Sequence, residues 1–107
     1  MVESKNSYDL VILGGGTAGY AAAIRASQLD MKVALIERDK VGGTCLHRGC
    51  IPTKALLHVA EIAHSVRDSK SFGILSEFQG VDMEAAIKFK DGIVDRNHKG
   101  LSGMIKA

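Results

Sequence analysis

Three consecutive glycines, Gly14-Gly15-Gly16, sit between a short apolar run and an alanine-rich segment, and this junction limits the fold more than any other feature of the chain. Tyr8-Asp9-Leu10-Val11-Ile12-Leu13 is β-rich and apolar, which predicts a buried strand ended by the glycines. Thr17 to Leu29 carries apolar residues at helical spacing. Lys32-Val33-Ala34-Leu35-Ile36-Glu37 is a second apolar run that closes on an acid. Strand, helix and strand with short joints make a parallel βαβ unit, since neighbouring parallel strands need a crossover between them. The class predicted is α/β.

Gly14, Gly16 and Gly19 fit the G-x-G-x-x-G pattern in the context that gives it meaning, with a strand before and a helix after. The first glycine allows a tight turn, the second lets backbone approach a pyrophosphate, and the third lets the helix pack close on the strand. The helix N-terminus then presents free N–H groups and partial positive charge to the phosphates. Glu37 stands roughly twenty residues further on, where an acid accepts hydrogen bonds from ribose hydroxyls. The competing reading is a glycine-rich turn that only packs helix on strand. These residues do not separate FAD from NAD.

Gly42-Gly43-Thr44-Cys45-Leu46-His47-Arg48-Gly49-Cys50-Ile51-Pro52-Thr53-Lys54 follows. Its two cysteines leave three readings open: inert core thiols, a structural disulfide, or a functional pair. In a regular helix, residues five apart have Cα atoms roughly 8–9 Å apart, whereas a disulfide needs about 4.4–6.8 Å. A Cys45–Cys50 bond therefore demands a distorted backbone, which Gly49 permits. The segment from Asp39 to Gly49 is predicted irregular. Pro52, a favoured first helical residue, predicts a helix from about residue 52 to about residue 69. Because a proline disfavours the helical region for the residue before it, regular helix should begin after Cys50. Cys50 at a helix N-terminus would have its thiolate favoured, with Lys54 one turn on adding positive charge. Cys45, in the glycine-rich stretch, is expected to be the more exposed thiol. A metal site from Cys45, His47 and Cys50 is the weaker option, because zinc sites show a tighter first pair and a second ligand pair elsewhere.

Composition excludes several classes of function. Fourteen basic and twelve acidic side chains are scattered along the chain, for a net charge of +2, so no basic block supports a nucleic-acid partner. No apolar stretch approaches membrane-span length. Met1 to Ser7 is polar and carries a Glu, unlike a secretory leader, and a cytoplasmic setting is expected. In a reducing cytosol a structural disulfide is disfavoured.

The remaining segments are less distinctive. Phe72-Gly73-Ile74 reads as a short extended piece. Asp82 reads as the N-cap of a last helix, with Met83, Ile87, Val94, Leu101 and Met104 along one face. Two parallel strands are too few for a covered sheet, so the chain is expected to be an incomplete piece of a larger protein.

Gly42-Gly43-Thr44-Cys45-x-x-x-x-Cys50-x-Pro52-x-Lys54, after a βαβ unit, resembles the class I pyridine nucleotide–disulfide oxidoreductases. These are FAD-containing homodimers that include dihydrolipoamide dehydrogenase, glutathione reductase and mercuric reductase. The resemblance implies that residues 1–107 are the N-terminal part of a Rossmann-like FAD-binding domain, with the NAD-binding and dimerisation domains outside this chain. Cys50-Ile51-Pro52-Thr53-Lys54, followed by Ala55-Leu56-Leu57-His58, looks most like the dihydrolipoamide dehydrogenase branch. It implies electron flow from dihydrolipoyl groups through Cys45 and Cys50 to FAD and on to NAD, and lipoyl domains of 2-oxo-acid dehydrogenase complexes as partners. Cys45 would be the interchange thiol and Cys50 the thiol beside the flavin. Gly14, Gly16, Ala18 and Gly19 would serve cofactor binding, Glu37 and Arg38 would hold the adenosine ribose, and Gly43 and Thr44 would lie along the pyrophosphate. Cys45 and Lys54 are also counted with the cofactor contacts, Lys54 near the reactive edge of the isoalloxazine. His47 stands where Asn is common, and Arg48 where an apolar residue is frequent. The family's His–Glu general base has no counterpart in His47, His58, His64 or His98, so the chain alone is expected to be inactive. Other disulfide or mercuric ion reductases, and a non-catalytic nucleotide-binding fragment, are the alternatives.

Overall fold

The structure, a computed structural model, describes residues 7–107. The reading of Met1–Ser7 as unlike a leader therefore lies, but for Ser7, outside the described residues. Strand β1 (Leu10–Leu13) leads through the glycine turn into helix α1 (Thr17–Ser27) and back to strand β2 (Val33–Ile36). The strands pair in parallel, with Leu10 opposite Val33 and Leu13 opposite Ile36. The βαβ reading holds, each element being a residue or more shorter at its ends than the apolar runs suggest. Helix α1 packs on both strands. Its buried residues are Ala23 and Ala26, side chains small enough for helix and sheet to approach closely.

Two corrections concern the cysteine segment. Residues 43–48 are not irregular but form a short helix, α2 (Gly43–Arg48). The backbone then breaks at Gly49, and α3 (Cys50–Asp68) begins at Cys50 itself. Pro52 is thus the third helical residue rather than the first, and Ile51 is helical in spite of the proline after it. The first-turn N–H groups of any helix lack an intrahelical partner, so a proline anywhere in that turn removes no hydrogen bond. The turn is already closed by Thr53 N–H donating to the Gly49 carbonyl at 3.1 Å.

The expected extended piece at Phe72–Ile74 is also absent. Ser69–Phe72 is a single 3₁₀ turn that ends at Gly73 in the left-handed region, φ 74°. Its hydroxyls explain why: Ser71 Oγ donates to the Asp68 carbonyl at 2.7 Å, and Ser69 and Ser76 share a hydrogen bond at 2.7 Å. Local side-chain bonds of this kind compete successfully with extended backbone.

Helix α4 (Met83–Lys106) begins as anticipated, with the Asp82 carboxylate accepting the Ala85 N–H at 3.0 Å. Helices α3 and α4 run antiparallel against one another: Ile51 and Leu101 line one cavity, Val66 and Val81 another at the opposite end. The long hairpin gives the molecule extents of 77 × 25 × 18 Å. On the predicted apolar face of α4, Leu101 is buried and Val94 half-buried, but Met83, Ile87 and Met104 are exposed. Val11 and Leu13 on β1 are exposed as well. The core therefore consists of small contacts, through Ala55, Ala86, Leu46 and Leu101, and α2 sits where the βαβ unit meets the helical hairpin.

Candidate functional site

The glycine turn and the α2 turn form one hydrogen-bonded unit. Gly14 N–H donates to the Ile36 carbonyl at 2.7 Å, and Gly42 N–H to the Gly15 carbonyl at 2.7 Å. Gly15 N–H donates to Glu37 Oε2 at 2.7 Å, while Asp39 N–H donates to Oε1 at 3.0 Å. Glu37, expected only as a hydroxyl acceptor at a strand end, is therefore also the clasp between the two turns. Each carboxylate oxygen keeps a further lone pair for another donor. The N–H groups of Asp39 and then Gly15 hold the Glu37 carboxyl below its ordinary range, outweighing a small opposing effect of burial.

Two glycines are required by contact. A Cβ on Gly19 would overlap the Gly14 carbonyl oxygen, so only glycine lets α1 start this close to β1. A Cβ on Gly43 would lie 2.8 Å from Gly16 Cα, and Gly43 has φ 64°. The two turns thus meet backbone to backbone. The N-terminus of α1, with Gly16 as N-cap, receives no side-chain cap.

The remaining predicted residues fall in three neighbouring places. Glu37, Arg38, Gly43 and Thr44 line an open cleft of about 450 Å³, together with His47 and Asp95. Gly14, Gly16, Ala18 and Gly19 line a shallow depression beside it. Cys45 borders a third cavity, of about 340 Å³, with Thr17, Tyr20 and Leu101. Lys54 stands exposed on α3, outside these three cavities.

Cys45 and Cys50 form a disulfide with Cα atoms 4.6 Å apart. This is the separation a continuous helix denies, and the break at Gly49 (φ −128°, ψ −110°) provides it. A Cβ at residue 49 would lie 3.0 Å from the Thr44 carbonyl oxygen and 3.2 Å from Cys45 Cα, so a larger residue would crowd the bend. Cys45 is half-buried and Cys50 exposed, the reverse of the expected order. The reason is that α2 is helical: its Cys45 faces the cavity shared with α4, while Cys50 projects from the start of α3.

Three residues of this unit were not singled out from sequence: Gly15, Gly42 and Val41. The first two act through backbone N–H and C=O groups, for which the sequence carries no signal beyond their being glycines within the two quoted motifs. Val41 accepts a hydrogen bond from His47 Nε2 at 2.9 Å, a contact with no sequence signature.

The chain belongs to the pyridine nucleotide-disulphide oxidoreductase family, whose model matches residues 8–105. It is similar to dihydrolipoyl dehydrogenase from Bacillus subtilis (strain 168), with 48% identity over 99 residues, covering 92% of this chain and 21% of that protein. Dihydrolipoyl dehydrogenase 2 from Haloarcula marismortui is 44% identical over 98 residues, 92% of this chain and 21% of its own length. The Thermus scotoductus dihydrolipoyl dehydrogenase is 43% identical over 100 residues, 94% of this chain and 22% of its own length. The chain thus spans about a fifth of the relatives it matches. Among the described residues no helix is long and apolar enough to cross a membrane.

Proposed function

We propose that this chain is the N-terminal part of the FAD-binding domain of a dihydrolipoyl dehydrogenase, and that Cys45 and Cys50 are its redox pair. The observation that carries the reading is the disulfide bridging the α2–α3 break. Cys45, within the short α2, and Cys50, the first residue of α3, are joined across the break with Cα atoms 4.6 Å apart.

The residues present fit a dinucleotide. The contact of Gly16 with Gly43 leaves no side chain in the groove between the turns, and the uncapped α1 N-terminus offers N–H donors to a pyrophosphate. Glu37, fixed by Gly15 and Asp39, is aimed for ribose hydroxyls, with Arg38 beside it. Gly14, Ala18, Gly19 and Thr44 complete this cradle, and Lys54 lies one turn beyond Cys50. FAD, when bound, supplies the two-electron acceptor that returns the reduced pair to the disulfide, with NAD bound by a further domain as the final acceptor.

The thiol chemistry balances as two exchanges. A dihydrolipoyl thiolate attacks Cys45 Sγ; the Cys45–Cys50 bond breaks, and Cys50 leaves as a thiolate. The second dihydrolipoyl thiol, losing its proton, then attacks the substrate sulfur of the mixed disulfide. Lipoyl disulfide departs and Cys45 is released as a thiol. Position at the start of α3 favours the Cys50 thiolate, since the first N–H groups of a helix and its dipole stabilise negative charge there. The proposal extends to lipoyl domains of 2-oxo-acid dehydrogenase complexes as partners, to a homodimer, and to the cytoplasm, where disulfides are usually transient and catalytic. High identity to three dihydrolipoyl dehydrogenases supports this substrate over other disulfides or mercuric ion.

Limited alkylation tests the roles. The protein expressed to its natural stop codon is reduced, loaded with FAD and treated with substoichiometric iodoacetamide before peptide mapping. Cys45 should be labelled first, because the flavin shields the Cys50 that is exposed here. First labelling at Cys50 would reverse the assignment.

A further inference from the structure

His47 draws attention because both sides of its ring are engaged. Its Nε2 lies 2.9 Å from the Val41 carbonyl, and its ring meets that of His98 edge to face, with centroids 5.0 Å apart and planes at 69°. Both imidazoles are half-buried. A carbonyl oxygen can only accept, so the proton is on Nε2, and the tautomer is set by this contact. Val41 is the residue before Gly42, whose N–H donates to the Gly15 carbonyl, and Gly43 then abuts Gly16. An unbroken series of contacts therefore runs from α4 through His98, His47 and Val41 to both glycine turns.

We propose that His47 is a positioning residue for the cofactor site: as a donor to Val41, braced by His98, it holds the Val41–Gly43 turn against the Gly14–Gly16 turn. This rests on the FAD reading above. Without the bond, the Val41–Gly43 segment loses its one side-chain tie to α2 and, though still held by Gly42 N–H on the Gly15 carbonyl, samples wider separations from Gly16. The groove for the pyrophosphate is then less often formed before binding, and affinity falls by the fraction of time it is open. His98 serves the same end at one remove, by restricting the ring's rotation.

The test is FAD affinity of the full-length apoprotein, read by flavin fluorescence, in His47→Phe, His47→Gln and His98→Ala, with circular dichroism to confirm the fold. Phe keeps a ring beside His98 but has no donor, whereas Gln places an N–H close to the position of Nε2. Loss of one neutral hydrogen bond predicts about five- to tenfold weaker FAD binding for His47→Phe. His47→Gln should recover most of this, and His98→Ala should weaken binding less. A His47→Phe protein that binds as tightly as the wild type overturns the proposal. Equal losses in Phe and Gln would also overturn it, since the donor would then not matter. A wild-type protein that binds no FAD instead overturns the reading beneath it.

Discussion

Gly15 N–H and the Glu37 carboxylate meet at 2.7 Å across a separation of 22 residues, joining the glycine turn after β1 to the residue that follows β2. The same carboxylate takes the Asp39 N–H at 3.0 Å, so one side chain fixes the geometry of two loops. This has a consequence for pH. The folded carboxyl titrates below its ordinary 4.5, chiefly because of the Asp39 and Gly15 N–H donors. Its contribution to stability is complete above that unfolded value and fades as pH falls through the lower folded value. Urea midpoints for the wild type should therefore fall from pH 4.5 downward more steeply than those of Glu37→Gln. Parallel slopes over that window would contradict the clasp.

Gly43→Ala should both destabilise the protein and weaken FAD binding. The new methyl would lie 2.8 Å from Gly16 Cα, on a backbone with φ 64°, so the α2 turn must shift. A loss of about 1–3 kcal/mol in urea denaturation is expected from the backbone conformation alone. Gly92→Ala in α4 is the control: open space surrounds that position, and helix propensity favours alanine by up to about 1 kcal/mol.

Cys50→Ser removes the disulfide and leaves Cys45 alone. Under non-reducing conditions the closed loop is short, so the variant should lose about 2 kcal/mol relative to the oxidised wild type. Dihydrolipoamide oxidation should fall by about three orders of magnitude or more, as for any catalytic group that acts only as part of a unit. Retained turnover would remove Cys50 from the mechanism.

Asp82→Ala deletes the acceptor for Ala85 N–H at the start of α4. Stability should fall by about 1 kcal/mol, with Asp82→Asn close to the wild type. Because the cap sits at the far end of the hairpin from Cys50, FAD affinity should not change.

The βαβ unit was legible because two independent signals agreed: apolar runs of strand length, and glycines placed where a helix must start. A Cys45–Cys50 bond was legible as a possibility from the two spacings and Gly49, whereas the bonds of Glu37 to Gly15 and Asp39 were not. What the sequence concealed was made by backbone. Residues 43–48 look irregular because glycines flank them, yet Gly43–Arg48 is a helix whose Leu46 is buried. That misreading reversed the expected exposures of Cys45 and Cys50. The turn at Ser69–Phe72 depends on hydroxyl contacts with Asp68 and Ser76, which periodicity does not register. His47 stood out only as an unusual residue; its bond to Val41 needed the α2 helix to be known first.

In the proposed function, Cys45 and Cys50 relay electrons from a dithiol to a flavin held by the two turns. The direct measurement is anaerobic titration of the protein, expressed to its natural stop codon, with dihydrolipoamide while its visible spectrum is recorded. The expected result is bound FAD, reduction by one equivalent of dihydrolipoamide, and a long-wavelength absorbance from the Cys50 thiolate that Cys50→Ser abolishes. A protein that binds FAD but shows no spectral change with dihydrolipoamide would contradict it.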